Sequence, residues 1–188
     1  KGILFAPHPA FAKNEKGEYV NHALAPEVID QLHNPMDLPQ KGTRELTAED
    51  FVYSIKRMAN PRIIAPVYGT MVNYLPGLKD FAVQVRAEDK RLRADLKPSD
   101  RDLPFLDLRK FELKGVSAPD KHTLRLEVKG KYPQFPNWLA MTFFAPVPWE
   151  AEAFYAQKGM AKNNLSLNYW PVGTGPYMLV ESIENRKH

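Results

Sequence analysis

The chain has 188 residues with a formal net charge of +4, 44% hydrophobic and 26% charged residues, and no cysteine. This length supports one domain with a sizeable core, and the missing cysteine excludes disulfide bonds and thiolate metal sites. Positive and negative residues are mixed, which indicates a solvated surface and no nucleic-acid interface, and no apolar run reaches the roughly 18 residues of a transmembrane helix.

Two short elements open the chain. Residues Gly2–Phe5 are apolar and predict the end of a strand. Ala25–Leu32 predicts a short helix, because Pro26 is favoured in a first helical turn, and Asn34-Pro35 ends it.

The clearest helix begins after Thr47, whose hydroxyl is a good N-cap, with Asp50 in place of the glutamate of a capping box. Glu49 and Asp50 also place negative charge at the positive end of the helix dipole. Apolar residues then recur on one face: Phe51, Ile55 and Met58, with Val52 and Ala59 beside them. Asn60-Pro61 ends the helix, because the residue before proline avoids the helical region.

Two further helices are predicted before a charged loop. Ala65–Leu75 predicts one that ends at Pro76-Gly77. A second starts at Leu78, with its apolar positions on a single face: Leu78, Phe81, Ala82 and Val85. Arg86–Asp102 is charged without apolar periodicity, so we predict a solvated helix end and a loop.

Alternating residues indicate an antiparallel sheet in the next part of the chain. Phe111–Lys114 predicts a strand, and Val116–Ala118 with Thr123–Lys129 predicts a hairpin around a Pro119-Asp120 turn. The buried face of the second hairpin strand is predicted to hold Leu124, Leu126 and Val128.

The last third of the chain predicts two short helices and a strand. Tyr132–Met141 is expected to form a helix with an aromatic face, and Trp149–Ala156 a second one. Met178–Ile183 predicts a terminal strand.

Four blocks, in this order, resemble family 5 extracellular solute-binding proteins, the oligopeptide- and dipeptide-binding components of bacterial ABC importers. Residues 46–50 and the arginine near Asn60-Pro61 form the first block, and the hairpin of residues 116–126 the second. Ala145–Pro148, followed by a helix and Gly173–Tyr177, forms the third, and Gly2–Phe5 matches the strand before the capped helix. Together these blocks span nearly the whole chain.

The resemblance implies an α+β fold: part of the N-terminal lobe of a periplasmic-binding-protein-like (type II) structure, with packed helices on a small, mostly antiparallel sheet. It implies extracytoplasmic, periplasmic capture of a solute, for which we predict an oligopeptide, with no catalysis and no cofactor. The implied partners are that solute and an ABC permease in the inner membrane, with no nucleic acid, and the implied state is a monomer.

The resemblance also bears on domain organisation. We expect residues 1–188 to form one globular unit, part of the N-terminal lobe of a larger two-lobe protein, with 171–188 as the return strand toward the main lobe. The chain begins with Lys1 and not methionine, so we expect a processed product or an excised piece. Ala6–Lys41 and Lys90–Lys110 are longer than is typical of the family.

One stretch is predicted to face a ligand. In related peptide binders an aromatic residue just after the proline that corresponds to Pro66 reaches the cleft, which implies ligand contacts by Val67 or Tyr68. Core packing is the competing interpretation for Tyr68.

No pattern predicts catalysis or a metal. Gly173-Thr174-Gly175 lacks the spacing of a phosphate loop, the five histidines lack ligand spacing such as HExxH, and no serine lies in GxSxG. Glu45, Glu49 and Asp50 are better explained as helix-start carboxylates than as an acid–base pair. Two rival functions remain: the solute-sensing domain of a transcription regulator with the same fold, and an enzyme.

Overall fold

The computed structural model describes residues 1–97, 99–100 and 102–182. Its contacts divide the chain into two compact units. The terminal unit comprises Lys1–Leu46, Leu96–Phe105 and Pro148–His188, and the central unit comprises Thr47–Asp95 and Leu106–Val147. That residues 1–188 act as one globular unit of a larger lobe stays a prediction.

Within the described residues the fold is α+β, with six α-helices and one two-stranded antiparallel sheet. The helices are α1 (Pro26–Gln31), α2 (Ala48–Arg57), α3 (Tyr68–Tyr74), α4 (Leu78–Leu92), α5 (Phe135–Trp138) and α6 (Trp149–Tyr155). The strands are β1 (Val116–Asp120) and β2 (Thr123–Leu126). Short 3₁₀ turns lie at Pro9–Phe11, Pro35–Asp37, Leu108–Lys110, Thr142–Phe144 and Ala161–Asn163.

The start of α2 confirms the predicted capping box. The buried carboxylate of Asp50 accepts hydrogen bonds from the backbone amide of Thr47 at 2.8 Å and from the Thr47 hydroxyl at 3.1 Å. These bonds satisfy a backbone donor that the first helical turn would otherwise leave unpaired.

Helix α2 is buried on more than the one face that the sequence predicts. Val52, Tyr53, Ser54 and Ile55 are all buried, whereas Phe51 is half-buried. The helix packs against both strands and against the 3₁₀ turns at Leu108–Lys110 and Thr142–Phe144. Because these neighbours surround it, polar positions also lie inside, and the Ser54 hydroxyl donates to the carbonyl of Ala145 at 2.6 Å.

The hairpin pairs Val116 with Leu126 and Ser117 with Arg125. The predicted alternation is confirmed, since Leu124, Leu126 and Val128 are half-buried and Arg125 is exposed. The strand ends at Leu126, earlier than predicted.

The predicted face of α4 is confirmed, because Leu78, Phe81, Ala82 and Val85 are each at most 1% exposed. The strand predicted at Phe111–Lys114 is wrong: these residues follow a 3₁₀ turn and form irregular chain that buries Leu113. Four alternating residues are too few to separate a strand from such a segment.

The terminal strand predicted at Met178–Ile183 is also not formed in the part of it that the structure describes. Met178–Ser182 form no strand, and Ile183 lies outside the described residues. That residues 171–188 return the chain toward a larger lobe stays a prediction. Gly2–Phe5 likewise makes only an isolated bridge, between Leu4 and Glu45.

In the terminal unit, the two ends of a long segment are hydrogen-bonded to each other. The backbones of His8 and Gly42 exchange two hydrogen bonds, of 2.9 and 3.1 Å, which close residues 8–42 into a loop, the 8–42 segment. A Cβ at Gly42 would overlap the carbonyl of Phe11, so this closure requires glycine. The segment contributes Phe11, Ile29, Leu32 and Leu38 to a core that also contains Phe154, Met160, Leu165 and Trp170.

An ion pair joins the chain before α2 to a buried carboxylate at the start of α6. Arg44 donates two hydrogen bonds to Glu150, from Nε at 2.6 Å and from Nη2 at 2.7 Å, and the Tyr19 hydroxyl donates to the same carboxylate at 3.0 Å. The guanidinium also lies 5.0 Å from the ring centre of Phe5. A buried charge with such complete pairing keeps a defined position.

The capping box predicts a measurable stability loss. Thr47→Ala removes the hydroxyl that faces Asp50, so we expect the free energy of unfolding to fall by about 1 kcal/mol in chemical denaturation. Thr142→Ala, at an exposed position of the same unit, is the matched control. Equal denaturation midpoints for Thr47→Ala and the parent would contradict a cap at this position.

The hairpin register predicts opposite outcomes for neighbouring residues. Leu126→Asp places an unpaired carboxylate on the packed face, and we expect it to lower the free energy of unfolding by about 2 kcal/mol or to prevent folding. Arg125→Asp, on the exposed face, is expected to change it by at most about 0.5 kcal/mol. Identical melting temperatures for the two variants would show that the register is wrong.

Candidate functional site

The chain between α2 and α3 is held by the side chain of Asn60. This buried asparagine follows the last turn of α2, and its Oδ1 accepts the backbone amide of Arg62 at 3.0 Å. The carbonyl of Asn60 accepts the amide of Ile63 at 3.2 Å. These bonds form a turn of the kind that asparagine favours, and they fix the direction in which the chain approaches α3.

An ion-pair cluster attaches this turn to α4. Arg62 donates from Nε to Asp89 at 2.6 Å, and Arg93, the C-cap residue of α4, donates to the same carboxylate at 3.0 Å. Asp89 is buried, so its charge is compensated by two guanidinium groups instead of water. The position of the turn relative to α4 is therefore well determined within the central unit.

The two residues predicted to contact a ligand lie together at the start of α3. Val67 is the N-cap residue and is buried, with 8% of its surface exposed, whereas Tyr68 is the first helical residue and is half-buried. Ile64, earlier in the same loop, is 94% exposed. Of the two, Tyr68 presents surface that a ligand can reach, while Val67 acts in this structure as a packing residue. Ligand contact by Val67 or Tyr68 stays a prediction.

The other end of α3 joins a cluster of aromatic residues. The ring of Tyr74 stacks on that of Tyr132 with 4.5 Å between the ring centres, and the indole of Trp138 donates to the Tyr132 hydroxyl at 2.7 Å. Leu139 and Met141, next along the chain, are 43% and 49% exposed. The sequence predicted an aromatic face here, but it contained no signal for the pairing with Tyr74.

A cavity of about 470 Å³ lies in the terminal unit and was not predicted. Its wall includes Leu96, Leu103 and Pro104 with the polar side chains of Asp100, Asp102 and Lys158. The Oδ1 atom of Asp102 is buried and has no hydrogen-bond partner within the described residues. The sequence predicts only a solvated helix end and a loop at Arg86–Asp102, because the charged residues there show no periodicity.

Two of the three carboxylates singled out from the sequence have structural roles. Asp50 caps α2, and Glu45 accepts the amide of Gly2 at 2.6 Å. In the part of the chain that the structure describes, no group of three or more His, Asp or Glu side chains could hold a metal ion. None of the described helices is both long and apolar enough to span a membrane.

Comparison with known proteins gives a family and one relative. Residues 41–188 match the family model described as "Bacterial extracellular solute-binding proteins, family 5 Middle". The chain is 28% identical over 142 residues to the "Periplasmic murein peptide-binding protein MppA" of Escherichia coli (strain K12), which covers 76% of this chain and 21% of that protein. The chain thus spans about a fifth of the length of this curated relative. No solved structure matches the chain.

The family match includes every element from α2 to α6, and therefore the turn at Asn60, the candidate ligand residues and the hairpin. It begins at residue 41, next to the point where the 8–42 segment closes. The resemblance noted in the sequence is thereby confirmed: the chain belongs to the bacterial extracellular solute-binding proteins of family 5.

Proposed function

We propose that the chain is part of an extracytoplasmic binding protein that captures a peptide-type solute for an ABC importer and performs no chemistry on it. The observation that carries this proposal is the family match over residues 41–188. The relative from Escherichia coli is named for binding murein peptide, which favours a peptide-type ligand.

Extended pairing accounts best for how such a protein holds a peptide. Backbone groups of an extended ligand make similar hydrogen bonds whatever its side chains are, so many sequences can bind. Side-chain pockets then add selectivity. On this chain Tyr68 supplies the accessible aromatic surface at the proposed contact, and the Asn60 turn and the Arg62–Asp89 pair hold its backbone in place.

A complete site is proposed to need more than this chain. It spans about a fifth of the relative's length, and we propose that the solute is enclosed between this lobe and a second one. Closure of two lobes around a ligand is a common binding motion, and pockets of this kind bury most of the ligand surface. The permease and the monomeric state are part of the same proposal.

The two-lobe proposal predicts weak binding by the 188-residue chain itself. A binder that reaches about 1 μM has some 8 kcal/mol of binding free energy, and loss of about half of that leaves millimolar affinity. Titration calorimetry with a mixed pool of tri- to pentapeptides should therefore give no heat of binding at micromolar concentrations. Saturable micromolar binding would mean that this chain holds a complete site, and the two-lobe proposal would be abandoned.

The Tyr68 contact predicts a loss of affinity without a loss of stability. In the two-lobe protein, Tyr68→Ala should weaken binding of the peptide pool roughly tenfold, about 1.4 kcal/mol, since truncating an aromatic contact removes buried area. Tyr169→Ala, at a tyrosine that is 60% exposed in the terminal unit, is the matched control. Unchanged affinity together with a lowered melting temperature for Tyr68→Ala would assign Tyr68 to core packing.

A further inference from the structure

A buried histidine connects three distant parts of the terminal unit. His8 is 5% exposed, and its Nδ1 atom accepts the backbone amide of Ala10 at 3.1 Å. Since Nδ1 accepts, the proton is on Nε2, which donates to the Tyr155 hydroxyl at 3.0 Å. Tyr155 in turn donates to the carbonyl of Trp170 at 3.2 Å. We call this chain of hydrogen bonds the His8 latch.

The latch works only with a neutral imidazole. Both ring nitrogens carry protons in the charged form, so a second proton on Nδ1 would point at the N–H of Ala10 and replace an attraction by a repulsion. The Phe154 ring lies nearly perpendicular to the imidazole with 5.5 Å between the ring centres, and it has no oxygen atom to accept a second N–H. Burial lowers the pKa of His8 from 6.5 to about 4, because desolvation disfavours the charged form.

Among the described residues, no carboxylate bonds the His8 ring, whose partners are the Tyr155 hydroxyl and the Ala10 amide. Tyr155 on α6 contacts the ring directly, and burial raises the pKa of this phenol, so it stays neutral. Glu150, at the start of α6, is a buried carboxylate that is already bound by Arg44. Arg44, a cation, lies over the ring of Phe11 with 5.5 Å to the ring centre, and the His22 ring bonds the carbonyl of Ala10.

The latch joins the 8–42 segment to the elements that it covers. His8 belongs to the closing pair of the segment, Tyr155 to α6, and Trp170 to the chain that follows. Neutral tethers accompany it, for example from Asn163 to the carbonyl of Ile29 at 2.6 Å and from Gln157 to the carbonyl of Asn21 at 2.9 Å. These tethers do not titrate. Other contacts of the segment involve ionisable partners: Tyr19 donates to the Glu150 carboxylate at 3.0 Å, and exposed Asp30 lies 3.4 Å from Lys162. A variant at His8 is therefore needed to separate the latch from these contacts.

We propose that the His8 latch is an acid-sensitive attachment: protonation of His8 releases the 8–42 segment from α6 and Trp170, while the central unit stays folded. The sign follows from linkage. The folded state favours neutral His8, so the attachment is intact at pH values above the unfolded value and weakens as the pH falls from about 6.5 toward 4. Extracytoplasmic proteins, such as those of this family, are exposed to changes in external pH more directly than cytoplasmic proteins are.

Hydrogen exchange at pH 7.5 and pH 4.5 tests the proposal, with rates corrected for the intrinsic effect of pH. For amides of residues 9–42 and 165–172, the opening equilibrium should rise roughly 50- to 100-fold at the lower pH. Amides of α2 and α4, in the central unit, should change by less than about threefold. An equal loss of protection in both units would overturn the proposal, because it would indicate global acid unfolding.

Two variants separate the latch from other acid effects. His8→Asn keeps an N-cap that accepts the amide of Ala10 but cannot titrate, so the difference between the two pH values should shrink to less than about threefold. His33→Asn makes the same substitution at an exposed histidine of the segment and should behave like the parent. A pH dependence that survives in His8→Asn would overturn the proposal.

Should His8→Asn not fold, an NMR titration of the His8 ring in the parent protein decides the question. We expect the Nε2–H tautomer at pH 7 and a midpoint below pH 5. A ring that titrates near pH 6.5, or that carries its proton on Nδ1, would overturn the proposal.

Discussion

The carboxylate of Glu150 is the group on which the terminal unit depends most. It is 2% exposed, and its two oxygens receive bonds from Arg44 and Tyr19, which lie 106 and 131 positions away in the chain. A buried charge is tolerated only with such partners, and removing one of them typically costs about 3–5 kcal/mol. Glu150 therefore brings together three parts of the chain: the residues before α2, the 8–42 segment and the start of α6. The apolar residues of the unit pack around this contact.

The central unit also contains buried carboxylates, at two places. Asp50 is buried at the start of α2, and Asp89 is buried near the end of α4 between Arg62 and Arg93. In each case a carboxylate on a helix fixes a neighbouring turn, either the chain entering α2 or the turn at Asn60. Apolar packing alone would allow these turns to shift, because it has little directionality, whereas charge-assisted hydrogen bonds specify distance and angle. The backbone next to Tyr68 owes its defined position to this arrangement.

What the sequence could predict depended on the range of the interactions. The capping box joins residues three apart, the buried face of α4 repeats with the helical period, and the hairpin alternates on either side of a tight turn, so each is visible in a short window. No local pattern predicts the bonds of Arg44 and Tyr19 to Glu150, the Tyr74–Tyr132 stack or the burial of Tyr53, because each depends on residues far apart in the chain. The strand wrongly predicted at Phe111–Lys114 shows the opposite error, a local alternation that the surrounding packing overrode. For the candidate site, the segment was predicted from resemblance, but the contrast between buried Val67 and accessible Tyr68 required coordinates.

The closed geometry of the 8–42 segment bears on how such a domain changes during evolution. Because its two ends are hydrogen-bonded neighbours, such a segment can be gained or lost without rerouting the rest of the backbone, and the loop-closure entropy grows only slowly with length. The family match begins at residue 41, so the shared framework starts where the segment ends. Packing imposes a second condition, since removal would uncover the apolar surface of Phe154 and Met160. A homologue without the segment should therefore carry smaller or more polar residues at the positions of Phe154 in α6 and of Met160 after it, so that gain or loss of the loop and the composition of this region change together.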